Sequence, residues 1–237
     1  MLDAEQIHVW VLNYYQKNGL FKTRNAVINQ LLPECEAKAS SPAYRKIKGE
    51  LAACLLQCYF HTLQQAITPS TILKSLCIPF KTGNQKTTEM DLTFVTPKCI
   101  FMFECKAYQG GQTVTDECTI QSSKPMNVYK QSLIHKDALM QYTNRFLDKT
   151  LAVKVKQVPY KLILFELSSK PLVDKRSAEW RMKIPIMRPE TFLQDFATLY
   201  KSFNYDLFNY NGVVTTLKAL NTKSSANFKK HVRRLSK

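Results

Sequence analysis

The stretch Phe101-Met102-Phe103-Glu104-Cys105-Lys106-Ala107-Tyr108 decides how this chain is read. Side chains alternate between the two faces of a β-strand. Glu104 and Lys106 therefore project to one side, and Phe103 and Cys105 to the other. An acid and a lysine inside an otherwise apolar strand run against ordinary burial preferences. They are candidates for chemistry, while Cys105 on the opposite face is read as packing.

Working outward, the preceding run from 88 to 96 also reads as a strand, and it contains Asp91. It joins the run from 98 to 107 through Thr96-Pro97-Lys98, which predicts an antiparallel hairpin with Asp91 near Glu104. Two neighbouring carboxylates repel and lose solvation unless a cation compensates them. Oxygen donors suit Mg²⁺, with Mn²⁺ as the alternative. The expected metal ligands are Asp91, Glu104 and the backbone carbonyl of Cys105. Lys106 would orient water and offset charge on a phosphate. Glu50, on the helix before the sheet, would add a carboxylate, and Gln131, on the helix after it, would position phosphate or water.

The rest of the pattern predicts an α/β domain. Asp3 and Gln6 form a capping-box signature, Ile7, Trp10, Val11, Tyr14 and Tyr15 recur at helical spacing, and Gly19 reads as a stop. A short helix over 25–32 and a linker over 33–42 follow. A helix over 43–66 precedes strands over 71–79, 88–96 and 98–107. A minor hairpin is expected in the polar stretch before Ser123. A helix over 127–147, a buried strand over 160–167, a short strand over 183–187 and a helix over 189–200 complete the order. The expected architecture is a central mixed sheet of about four to five strands flanked by helices. The division is a helical extension over 1–42, a core over 43–203 and a helical, basic tail over 204–237.

Charge points to the partner. The 237 residues hold 34 Lys and Arg against 18 Asp and Glu, a net charge of +16. Seven of the positive charges lie in the tail from Lys218 onward, so the body is basic without it. Such a surplus favours a polyanion, nucleic acid above all, with an anionic membrane surface a lesser choice. The apolar runs are too short to span a bilayer. The start, Met-Leu-Asp-Ala-Glu, is acidic where a secretory signal would be basic. Seven scattered cysteines without a CxxC pair predict a cytoplasmic protein with reduced thiols. Cys54 and Cys58, with His61 nearby, are read as buried thiols rather than a zinc site. His135 is read as a structural or exposed histidine, and Trp10, Tyr14 and Tyr15 as core.

Several pieces together resemble the PD-(D/E)XK nuclease superfamily, and within it the nuclease-related domain (NERD) branch. They are Lys48-Gly49-Glu50, Glu89-Met90-Asp91-Leu92, Phe103-Glu104-Cys105-Lys106-Ala107-Tyr108-Gln109-Gly110, and Met126-Asn127-Val128-Tyr129-Lys130-Gln131 with His135 four residues on. The resemblance spans roughly residues 46 to 200. The chain departs from the family pattern at Val128, where a proline is usual, and lacks a tryptophan after Gly110-Gly111. The resemblance implies a restriction-endonuclease-like core and metal-dependent hydrolysis of DNA, with Glu50, Asp91, Glu104, Lys106 and Gln131 as the active-site set. The alternative is a non-catalytic nucleic-acid-binding protein on the same fold, acting in a DNA-processing or DNA-transfer assembly.

Overall fold

The computed structural model describes residues 3–38, 40–82, 85–108, 111–121, 125–151, 159–204, 210–220, 229 and 233, with side chains except those of 80–87 and 143–151. The first helix, α1 (Ala4–Ala26), begins with the capping box: the Asp3 carboxylate accepts from the amides of Glu5 and Gln6, and the Gln6 side chain accepts from the Asp3 amide. Gly19, which the sequence marks as a stop, instead kinks the helix at φ 75°, a left-handed conformation that glycine adopts without a Cβ penalty. A π-helical stretch over Val27–Leu31 leads into α2 (Leu32–Ala37). The expected linker over 33–42 is thus helical as far as Ala37. Pro33 sits in the first turn of α2, where a missing amide hydrogen costs nothing. Helix α3 (Pro42–Leu63) follows and packs on α1.

Strands β1 (Thr71–Thr82), β2 (Gln85–Val95) and β3 (Ile100–Ala107) then form an antiparallel meander. The polar segment holds more than the expected hairpin. Strands β4 (Thr113–Thr115), β5 (Thr119–Ile120) and β6 (Met126–Asn127) pair in sequence, and β8 (Val173–Asp174) joins them from a later segment. Helix α4 (Val128–Leu151) crosses to β7 (Tyr160–Leu167), which runs parallel beside β3. Helix α5 (Ala178–Lys183), not foreseen, precedes the short β9 (Ile186–Met187), parallel to β7. Helix α6 (Phe192–Lys201) and helix α7 (Tyr210–Lys218) follow. The main sheet is mixed, in the order β1-β2-β3-β7-β9. The basic tail beyond residue 220 lies almost wholly outside the described residues.

Both faces of this sheet are buried, and the alternation of residues assigns them. Leu92, Phe94, Phe101, Phe103, Cys105, Ile163 and Phe165 belong to a core shared with α1, α3 and α6. Ile100, Met102, Leu162 and Leu164 belong to a second core under α4 and α7. Phe60 of α3 stacks on Phe94 at 4.7 Å and meets Phe103 edge-on at 5.0 Å. Each such ring stabilises the fold by about 1.5–3 kcal/mol through burial alone. Trp10 and Tyr15 are half-buried against the first core, and Trp10 stacks on Tyr14 at 4.9 Å. Continuing the alternation from Ile100 and Met102 puts Glu104 on the α4 face.

Candidate active site

Glu104 occupies a core position on β3 and is only 4% exposed. Its carboxylate is not alone. The Lys106 ammonium, one residue further along the same face, donates to Oε1. His135 of α4 brings Nε2 to 3.4 Å from Oε2, close enough for an ion pair though not a well-aligned hydrogen bond. The other ring nitrogen, Nδ1, lies 2.7 Å from the Thr88 hydroxyl of β2, which fixes the ring orientation. Burial pushes the Glu104 carboxyl toward its neutral form, but His135 and Lys106 outweigh burial and hold its pKa below the usual carboxylate value.

Asp91 comes from the neighbouring strand. The β2–β3 pairing ends at Leu92 opposite Phe103, so continuing the register sets Asp91 against Glu104. On the other side of β2, the β1 pairing skips Asp91 as well. It runs from Lys74/Leu92 to Leu76/Met90, and the intervening Ser75 has φ 51°. The strand is thus released on both sides at Asp91. Its Oδ2 instead accepts the backbone amide of Cys105 at 2.8 Å. Burial, and then the nearby Glu104 charge, push the Asp91 carboxyl up to about 6, against the partial relief from Cys105, Lys106 and His135. The Cys105 thiol is buried with the first core, and its pKa is raised well above the ordinary value, chiefly by burial. It is a packing group, not a nucleophile.

The structure therefore brings Asp91, Glu104, Cys105 and Lys106 together, and adds His135 and Thr88. His135, read from sequence as structural or exposed, is 6% exposed and turned to Glu104. Its signal was the i, i+4 spacing from Gln131, which shows a shared helix face but not what that face meets. Gln131 is half-buried on α4, one turn before His135. Glu50 is placed elsewhere: its Oε1 receives the Lys74 ammonium of β1, lies 2.9 Å from His8 Nδ1 of α1, and accepts from the Cys54 thiol at 3.3 Å. Among the described residues, no hydrogen bond or ion pair joins Glu50 to Asp91 or Glu104. An open groove of about 760 Å³ beside β9 and α6 contains none of these residues, so cavity size does not locate the chemistry.

The donor set fits a hard divalent cation. Two carboxylates from adjacent strands converge, and burial, then the Glu104 charge, raise the Asp91 pKa, both of which a bound cation would relieve. A mixed sheet with such an acid–acid–lysine arrangement at the end of a central strand resembles the PD-(D/E)XK-type fold. Residues 48–164 match the family profile described as nuclease-related domain. All five residues expected in the active-site set fall inside the matched segment. No curated relative matches the chain. Among solved structures, the small subunit of the heterodimeric restriction endonuclease R.BspD6I aligns over 88% of this chain and 97% of its own, with 9% identity and a TM-score of 0.25, too weak a likeness to support any inference. Among the described residues, no helix is long and apolar enough to cross a membrane.

Proposed function

We propose that the protein is a divalent-metal-dependent nuclease that hydrolyses DNA phosphodiester bonds in the cytoplasm, a reducing compartment that suits its seven buried cysteines. The observation that carries this reading is the Asp91–Glu104 pair with Lys106 bonded to Glu104 on a basic chain. Asp91, Glu104 and the Cys105 carbonyl would hold Mg²⁺, with Mn²⁺ as an alternative. A divalent ion bound there supplies Lewis-acid polarisation of the phosphodiester and a more acidic water. Lys106 places its ammonium against the phosphate oxygens as negative charge builds on them. His135 keeps Glu104 oriented. Gln131, one turn away on α4, donates to a phosphate oxygen or to water. Glu50 contributes only through its field, since Lys74 and His8 already hold it. The surplus of Lys and Arg grips the DNA backbone without reading its sequence.

The test is cleavage of supercoiled and branched DNA with Mg²⁺ or Mn²⁺, comparing wild type with Lys106→Ala. Cleavage that persists in EDTA, or is equal in the two proteins, overturns the mechanism.

A second reading draws on a specific observation: Lys106 and His135 can balance Glu104 with no metal present. The site would then be vestigial, and the chain would bind nucleic acid without cutting it. DNA binding that weakens steeply with salt, together with no metal-dependent cleavage, is the outcome that favours this reading.

A further inference from the structure

The cluster that holds Glu50 has its own chemistry. His8 Nδ1, Glu50 Oε1 and Cys54 Sγ come from α1 and α3 and lie within 4.8 Å of one another. The individual separations are 2.8 Å for His8 to Cys54, 2.9 Å for His8 to Glu50 and 3.3 Å for Cys54 to Glu50. Imidazole, thiol and carboxylate are the donor types of borderline divalent ions, and their mutual distances approach the spacing of three corners of a tetrahedron with bonds of about 2.0–2.3 Å. Lys74 completes the group: its ammonium bonds Glu50 and lies 2.9 Å from His8 Nδ1, where a cation belongs.

We propose that His8, Glu50 and Cys54 form a Zn²⁺ site that the Lys74 ammonium fills when the metal is absent. The exchange balances. Without metal, the Glu50 carboxylate is matched by one ammonium. On binding, Zn²⁺ enters, the Cys54 thiol releases its proton to solvent, and Lys74, whose side chain is 30% exposed, turns outward. Zinc, thiolate, carboxylate and neutral imidazole again sum to zero. His8 and Glu50 are each about one-fifth exposed, so solvent reaches the fourth position.

The site lies across the sheet from the Asp91–Glu104 pair. Lys74 is paired with Leu92, which faces the core under α1 and α3, whereas Glu104 faces α4. Its role is to clamp α1 to α3, and it does not rest on the nuclease reading.

The experiment is titration of the full chain with Co²⁺ and Zn²⁺. Co²⁺ bound here gives a thiolate-to-metal absorption band, displaced by Zn²⁺, and Zn²⁺ raises the melting temperature. The band should vanish in Cys54→Ser and persist in Asp91→Asn. Lys74→Met, which removes the competing cation without touching a ligand, should bind at least ~10-fold more tightly, with circular dichroism confirming the fold. Absence of the band in both wild type and Lys74→Met overturns the site, as does a band that survives in Cys54→Ser.

Discussion

The backbone amide of Cys105 donates to the side chain of Asp91 at 2.8 Å, just where the pairing of their two strands has ended. A carboxylate thus replaces a carbonyl as the partner of a strand amide. The substitution holds Asp91 in place while Glu104, the residue before Cys105, is turned to the opposite face from the thiol. Neighbouring carboxylates are held together by backbone geometry, not by attraction.

Burial of Asp91, and then that enforced proximity, make stability depend on pH. Asp91 binds its proton more tightly in the folded chain, with its pKa raised from 3.8 to about 6. In EDTA, stability falls as pH rises through this range and levels off above it. Glu104 is held below 4.5, so its stabilising contribution is lost only as pH falls beneath that value. Between pH 4.5 and 7 the Asp91 effect amounts to about 2 kcal/mol, opposed in part by His8, whose lowered pKa makes stability rise with pH toward 6.5. Chemical denaturation across this range should show the decline in wild type and none in Asp91→Asn, whose side-chain oxygen still accepts the Cys105 amide. A decline of equal size in both proteins refutes the assignment.

Replacing Lys106 by alanine should lower the cleavage rate by about 10²–10³. DNA affinity at fixed salt should change little, because one charge is lost from a net +16. Parallel measurement of cleavage and of binding by fluorescence anisotropy separates the two effects. A matching loss in both would demote Lys106 to a binding residue.

His135→Ala removes a partner from both Glu104 and Thr88. A loss of about 1–3 kcal/mol in urea denaturation is expected from the orphaned groups. Cleavage should fall less than in Lys106→Ala, since His135 acts through Glu104. A larger drop in rate than that of Lys106→Ala would mean that His135 touches the substrate.

Phe60→Ala should destabilise the fold by about 3–5 kcal/mol, because this fully buried ring contacts Phe94, Phe103 and Phe192. Thermal unfolding monitored by circular dichroism measures it. A cost under about 1 kcal/mol would mean that α3 does not depend on this aromatic cluster.

Much of this was legible in the residues themselves. The alternation along Ile100–Ala107 assigns faces, because successive strand side chains must point oppositely. Turn residues at Thr96-Pro97-Lys98 set a hairpin that brings Asp91 to Glu104. Other features depend on what packs against what. The spacing of Gln131 and His135 shows a common helix face, but only the docking of α4 on the sheet turns His135 to Glu104. Gly19 permits a stop and a kink equally, and contacts between α1 and α3 select the kink. Apart from Cys54 one turn on, Glu50 carries no local sign of its partners: His8 lies 42 residues before it and Lys74 24 after. Local periodicity is a property of the backbone and can be read directly. The pairing of distant charges follows from how helices settle on the sheet, a balance of burial over the whole chain that tertiary structure alone decides.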